Sequence, residues 1–300
     1  ISFIYNIPLW LINLWIREFG RDKTEDLCAW FNEQPKLTAR INTILIDIPQ
    51  CLTMLNEQGW SVTQDSNYED IIYINSHRGS LEKSEAFIKG YITFMDKASM
   101  LVARLVNPQP GERILDCCAA PGGKSMYMAT LMDNVGSLMS CDIHEHKIEL
   151  LNSNADRLGA SIVHTKVQDA TKLPDSWNSY FDRVLVDAPC SGLGILQKKL
   201  DMRWRKQESI LRELPPLQLA ILERAAMTVK EKGYLIYSTC TLNYKENEEV
   251  VESFLQKHKE FSIIPVVEDF PLKSNSGMIT TYPPTDDMDG FFMVKMQRIS

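Results

Sequence analysis

The sequence predicts an α/β protein: a parallel sheet with helices on both faces, preceded by a small α+β unit. Three observations carry that prediction. Strand-like and helix-like runs alternate regularly from residue 112 onward. The strand-like runs end in carboxylates, at Asp116, Asp142 and Asp187, with Asp169 three residues beyond another. The composition, 44% hydrophobic and 24% charged over 300 residues, is that of a folded chain about two domains long. With 14 Gly and 14 Pro it is neither a fibre nor a low-complexity linker.

In chain order, residues 1–35 read as a helical lead-in. Its first helix starts at Pro8 with Leu9, Ile12, Trp15, Ile16 and Phe19 on one face, and a second spans Lys23 to Asn32. The apolar start is interrupted by Ser2, Asn6, Pro8 and Asn13 and stopped by Arg17 and Glu18, so it reads as a buried helix and not a membrane span. Residues 36–90 form the small α+β unit: a β-run at Arg40–Ile46, a helix at Pro49–Gln58, and strands at Trp60–Gln64 and Ile71–Ile74. Residues 91–300 hold the alternating pattern. Strands are expected at Glu112–Cys118, Ser137–Asp142, Ser161–Lys166, Phe181–Ala188, Gly233–Thr239 and Gly290–Met296. Helices are expected at Gly123–Met132, His146–Leu158, Gln207–Lys230 and Lys245–His258. Such sheets bind ligands at the carboxyl ends of their strands.

The first turn of that pattern is Asp116-Cys117-Cys118-Ala119-Ala120-Pro121-Gly122-Gly123-Lys124-Ser125. Small residues and two glycines let backbone approach a ligand and then open a helix. A Walker A loop needs a glycine where Cys118 stands, and the dinucleotide fingerprint is also absent. The turn therefore favours a nucleoside-type ligand carrying few phosphates. Asp142 occupies the position that accepts hydrogen bonds from a ribose diol. With Asp169 for an adenine amine and Asp187 beyond it, the acids imply an adenosyl ligand, and a cationic sulfonium suits their charge. These features point to S-adenosylmethionine.

Seven cysteines, an odd count without a paired framework, point to a reducing, cytoplasmic setting. No CxxC pair is present and the five histidines show no ligand spacing, so no metal is expected. Cys28, Cys51 and Cys141 read as buried small hydrophobes. Cys190 and Cys240 differ, because each follows a strand and faces the ligand edge. A thiolate beside a methyl donor suits methylation of a pyrimidine carbon. Addition of the thiolate to C6 of cytosine makes C5 nucleophilic, and Asp187 is placed to hydrogen-bond N3 of the base.

Three stretches, Asp116–Ser125, Asp187-Ala188-Pro189-Cys190-Ser191-Gly192 and Tyr237-Ser238-Thr239-Cys240-Thr241, resemble the motifs of the Sun/NSUN family of RNA cytosine-C5 methyltransferases. The similarity runs over the whole chain and is greatest to the bacterial RsmB (Sun) branch, which modifies small-subunit ribosomal RNA. The resemblance implies a Rossmann-like S-adenosylmethionine-dependent methyltransferase sheet with an RRM-like N-terminal unit. It implies that Cys118, Ala119, Ala120, Pro121, Gly122, Gly123 and Lys124 line the methionine and ribose side of the cofactor. Asp142 would hold the ribose, Asp169 the adenine, and Asp187 would sit between cofactor and base. Cys240 would be the nucleophile and Cys190 would assist adduct release. Pro189-Cys190 competes for the nucleophile's part, because DNA methyltransferases use the cysteine of a Pro-Cys pair. Met95, Leu200 and Tyr282 depart from the family's usual residues on the substrate side. The branch normally carries a NusB-like N-terminal domain, and a chain that starts at Ile1 reads as an excerpt without it.

The net charge of −7 excludes a bulk-basic coat protein but not a local basic patch. Between Leu196 and Arg212 six cations face two acids, with Trp204 among them. Lys198, Lys199, Arg203, Trp204 and Arg205 are thus the expected RNA contacts, by phosphate pairing and base stacking. Trp60, Tyr68 and Tyr73 of the small unit read as core more than as a stacking platform. The expected partner is small-subunit ribosomal RNA, with the protein a monomer. The alternatives are the same chemistry on tRNA and a non-catalytic RNA-binding assembly factor, against which both cysteines stand.

Overall fold

The computed structural model describes residues 1–266, 270–272, 274 and 276–299. The lead-in is a single turn, α1 (Ser2–Tyr5), followed by α2 (Leu9–Phe19) and α3 (Arg21–Trp30). In α2 the buried residues are Leu11, Ile12, Leu14 and Trp15, whereas Leu9 is 63% and Ile16 37% exposed. The buried face keeps Ile12 and Trp15 of the predicted one but is rotated, taking Leu11 and Leu14 in place of Leu9 and Ile16. Apolar residues nearly surround this helix, so its pattern does not encode which side packs. That side meets α3, the loop residues Leu193, Leu196 and Leu242, and Leu211. Among the described residues no helix is long and apolar enough to cross a membrane.

The small unit runs β1 (Thr38–Ile41), α4 (Ile48–Glu57), β2 (Ser61–Gln64), β3 (Ile71–Ser76), α5 (Glu85–Ile88) and β4 (Ile92–Phe94). Its strands form one antiparallel sheet in the order β2-β3-β1-β4, a ferredoxin-like arrangement. The first strand ends at Ile41, short of the expected Ile46. Asn42 is buried there and its amide donates to the carbonyls of Gly90 and Leu158, each at 2.9 Å, which turns the chain away. One sheet face covers a core of Ala39, Ile41, Leu55, Trp60, Ile72 and Ile74.

The other face is closed as well. Arg40 is fully buried, 5.1 Å from the Tyr127 ring, and donates to Thr130 at 3.1 Å. Tyr127 in turn donates to Asp70 at 2.7 Å. Of the aromatics, Trp60 is in the core, Tyr68 lies under Arg104 at 4.3 Å, and the Tyr73 hydroxyl donates to Asp65 at 2.9 Å. An RRM-type platform needs an open sheet face, and here that face docks on the larger domain.

The larger domain continues with α6 (Lys97–Val106), β5 (Arg113–Asp116), α7 (Gly123–Leu131), β6 (Ser137–Asp142), α8 (Glu145–Leu158), β7 (Val163–Val167) and β8 (Phe181–Asp187). The turn α9 (Met202–Arg205), α10 (Ile210–Ala226), β9 (Val229–Thr239) and α11 (Glu248–Lys257) follow. Last come β10 (Phe261–Ile263), β11 (Met278–Thr280), α12 (Pro283–Asp286) and β12 (Phe292–Arg298). The sheet order is β10-β12-β9-β8-β5-β6-β7, with β11 paired to β12. Strands β5 to β9 are parallel, and β12 runs antiparallel to β9. One core packs α6, α7 and α8 on one face, through Leu101, Met126 and Leu151. The other packs α10 and α11, through Leu222 and Phe254. Strand β5 has β6 on one side and β8 on the other, so the chain reverses direction across the sheet at β5/β8. That is where open α/β sheets form their crevice.

Candidate active site

The turn after β5 is shaped by two backbone requirements. Gly122 has φ +106°, and a Cβ there would lie 2.7 Å from Leu151 Cδ2. Only glycine fits both demands. Its amide donates to Ala119 O at 2.8 Å, and Ala119 N is tied to Cys141 O at 2.7 Å. The turn therefore lies flat across the ends of β5 and β6, and α7 begins directly behind it.

A cavity of about 450 Å³ opens over these strand ends, the size of a nucleoside-scale ligand site. Cys118 and Ala120 line it, with Asp142, Asp169, Asp187 and Cys190. Ala119, Pro121, Gly122 and Gly123 form the turn behind that wall, and Lys124 lines a second cavity. Asp142 is largely buried, with the amide of His144 donating to it at 3.0 Å and Lys147 at 3.5 Å. Asp169 accepts from the Thr171 hydroxyl at 2.7 Å and amide at 2.9 Å, which hold its carboxyl below the usual range. Asp116 behaves differently from the other strand-end acids. It is fully buried beneath the turn, takes one bond from Ser125 at 2.7 Å, and burial pushes its carboxyl up to about 7.

Two thiols stand at adjacent strand ends. Asp187 pairs with Ser238 in the β8/β9 register, so the chain segments leaving these strands run side by side. Cys190 Sγ lies 3.1 Å from Cys240 Sγ and accepts from the Cys240 amide at 3.3 Å. The hydrogen bond to Cys240, and then burial, push the Cys190 thiol well up. All seven cysteines are free. Between the thiols and α7, Asp187 accepts from Lys124 at 2.6 Å and from Ser238 at 2.8 Å. Burial draws the Lys124 ammonium down, and the Asp187 charge outweighs it, leaving it above its ordinary range.

The second cavity, about 390 Å³, shares Asp187 and Cys240 with the first. Its far wall comes from the small unit and its connection, through Leu37, Thr38, Phe94 and Met95. The two cavities, which also share Ile195, thus meet at one carboxylate, one thiol and one apolar side chain. Among the described residues no group of three His, Cys, Asp or Glu side chains could hold a metal ion.

The expected RNA-contacting cations separate. Lys199 lines the second cavity. Lys198 lines it too, but its ammonium is taken by Asp96 and, at 2.9 Å, Asp289. Arg203 was expected on the surface and is buried instead, 4% exposed. Its guanidinium donates to Asn32 Oδ1 at 2.7 Å and to Phe31 O, fastening the segment after Cys190 to the lead-in. Gln197 does the same by donating to Trp30 O at 3.0 Å. Trp204 and Arg205 remain on the surface, Trp204 60% exposed and Arg205 in an open pair with Asp201.

Sequence reasoning missed two groups. Glu246 is fully buried and bonded to both thiol-bearing loops. Asp289, also buried, stands at the second cavity with its carboxyl pushed up to about 7 by burial and Asp96. The available signal was a carboxylate within reach of each conspicuous loop. Acids on helix starts and before Gly-Phe-Phe look like ordinary caps and surface charges in sequence.

Residues 103–297 match the family described as 16S rRNA methyltransferase RsmB/F, and residues 7–79 match the ferredoxin-like domain described as Methyltr_RsmF/B-like. The chain is 37% identical over 297 residues to a probable ribosomal RNA small subunit methyltransferase B of Bacillus subtilis, covering 97% of this chain and 66% of that one. It is 36% identical to the protein so named in Synechocystis, covering 98% and 67%. The crystal structure of NSun6 from Pyrococcus horikoshii with SFG shares the fold, with TM-score 0.88 at 21% identity over 98% of each chain. The chain spans about two thirds of the curated relatives' length. With that fold, those strand-end residues and a family match over more than half its length, the chain belongs to the 16S rRNA methyltransferase RsmB/F family.

Proposed function

We propose that this chain transfers a methyl group from S-adenosylmethionine to C5 of a cytosine in small-subunit ribosomal RNA, through a covalent bond between Cys240 and C6. The carrying observation is that Asp187 and Cys240 line both cavities while Cys190 lies 3.1 Å from Cys240. One cavity then holds the donor and the other the base, with the reacting groups on the shared wall.

The residues present suit an adenosyl donor. The 450 Å³ cavity has a carboxylate at each of three strand ends and a flat glycine turn against which a ligand can lie. Asp142 would accept from the ribose and Asp169 from the adenine amine, with the Cys118–Lys124 turn beside the amino-acid tail. The donor, when bound there, supplies the methyl group. Cys240 adds to C6 and so makes C5 nucleophilic. Asp187, held by Lys124 and Ser238, faces N3 of the base and favours the addition. After transfer a base takes the C5 proton as the bond from C6 to the Cys240 sulfur breaks, which restores the ring and releases Cys240 as its thiolate, with Cys190 assisting. Trp204 and Arg205 contact the RNA beside the pocket by stacking and phosphate pairing. The protein acts in the cytoplasm, as a monomer and without a metal.

The test is incubation of the protein with methyl-labelled S-adenosylmethionine and transcribed small-subunit rRNA, followed by nuclease digestion and chromatography of the nucleosides. Label should run as 5-methylcytidine. Label on another nucleoside would sink the reaction assigned here, and label on tRNA but not rRNA would sink the substrate.

A further inference from the structure

Glu246 is a fully buried carboxylate whose hydrogen-bond donors are all neutral. It accepts from the Ser191 amide at 2.8 Å and hydroxyl at 2.5 Å, from Gln218 at 2.9 Å and from Asn243 at 2.9 Å. Ser191 follows Cys190, and Asn243 lies three residues past Cys240. Gln218 also donates to Pro189 O at 2.9 Å, and the Ser191 and Thr241 hydroxyls meet at 2.7 Å. One carboxylate therefore clamps the two thiol loops together from below.

Glu246 bonds one residue past Cys190, at Ser191, but three residues past Cys240, at Asn243. Beside Cys190 lie Cys240, 3.1 Å away, and, through the Ser191 amide, Glu246, whose backbone carbonyl accepts from the Tyr237 hydroxyl of β9 at 2.6 Å. Cys240 is faced by Cys190 and, across the cavity, by the Lys124–Asp187 pair of α7 and β8. A negative charge in a buried setting opposes a second one nearby, while an ammonium favours it. Two thiols this close compete for one attack, and a thiolate is the attacking species.

We propose that Glu246 is a positioning residue that disfavours negative charge at Cys190 and so leaves the attack to Cys240. The purpose of this bias rests on the function proposed above. The bias itself can be read without RNA. The carboxylate stands among the causes that push the Cys190 thiol up, after the Cys240 bond and burial. Held protonated, Cys190 can donate to the Cys240 sulfur and later supply a proton.

The experiment is alkylation by iodoacetamide between pH 6 and 10, with initial rates at each cysteine followed by peptide mass spectrometry. A thiolate sulfur forms the new carbon–sulfur bond as iodide leaves, so the rate follows ionisation. In the wild-type protein Cys240 should react at lower pH than Cys190. In Glu246→Gln the Cys190 profile should move to lower pH, with about a tenfold faster rate at pH 8 for each pKa unit lost. Glu246→Asp and Ser191→Ala, which keep the carboxylate, should preserve the wild-type order. The idea is overturned if Cys190 reacts first in the wild type, a result that needs no variant to fold. It is also overturned if Glu246→Gln leaves the Cys190 profile in place, or if Ser191→Ala shifts it as far as Glu246→Gln does. Correct thiol order with no 5-methylcytidine would instead count against the proposed function alone.

Discussion

The strand ends of β8 and β9 and the basic segment that begins six residues past Cys190 are adjacent in the fold but differ in how they use charge. At the strand ends, Asp187 and Cys240 face both cavities and Cys190 faces the first. In the basic segment, Lys198 and Arg203 are consumed by the protein itself. Parallel strands explain the contrast. Register fixes where a strand-end side chain points, because β8 and β9 are hydrogen-bonded residue by residue up to Asp187 and Ser238. Nothing comparable fixes a cation in a loop, which takes whatever carbonyl or carboxylate the packed chain leaves beside it.

The largest effect expected is at the thiols. Cys240→Ala should abolish methylation and form no covalent RNA complex, since C5 stays unreactive without addition at C6. Cys190→Ala should still attack, release slowly and accumulate protein cross-linked to RNA on a denaturing gel. The reverse pattern would make Cys190 the nucleophile and break the assignment of the two strand ends.

Much of this was legible in sequence. The alternation predicted β5 to β9 and their helices, and Gly122 and the strand-end acids marked the crevice side. What was not legible depended on tertiary partners. The α2 face is ambiguous because its apolar residues surround it, and the Arg40–Ile46 strand stops early because Asn42 finds two distant carbonyls. The short β4 and the helix α6 carry weak local signals and exist through pairing with β1 and packing on α7. Arg203 reads as a surface cation until α3 ends against it.

Affinity for the donor comes next in size. Asp142→Ala should weaken S-adenosylmethionine binding in calorimetry by about 1–3 kcal/mol, the cost of unpaired buried polar groups. Unchanged affinity would remove Asp142 from the site.

The basic segment can be divided by stability against RNA binding. Arg203→Ala should lower unfolding free energy by about 1–3 kcal/mol, since it leaves the buried Phe31 carbonyl without its donor and removes the bond to Asn32. Arg205→Ala should change stability by less than about 0.5 kcal/mol, its pair with Asp201 being open to solvent. Trp204→Ala should leave melting alone and weaken RNA binding by about 1–3 kcal/mol if a base stacks there. Equal destabilisation by Arg203→Ala and Arg205→Ala would erase the division drawn between them.

A pH dependence sharpens the comparison from the other side, because Asp116 is a strand-end acid that lines neither cavity. Its folded carboxyl keeps a proton up to about 7, against an ordinary value of 3.8. Between those limits the folded chain binds more protons than the unfolded one, so stability must fall as pH rises from about 4 to 7. Glu18 and Asp289, also pushed up to about 7, add to the same slope. Lys295, drawn down to about 7 by burial, acts only above that window and in the opposite sense. Denaturant unfolding at several pH values should therefore show a shallower decline for Asp116→Asn than for wild type. Ser125 can still donate to the amide oxygen, so the fold is kept while the proton is removed from the balance. Identical slopes would mean that Asp116 is ionised beneath the turn. The strand-end carboxylates would then be alike in charge, and only their direction would separate Asp116 from Asp142 and Asp187.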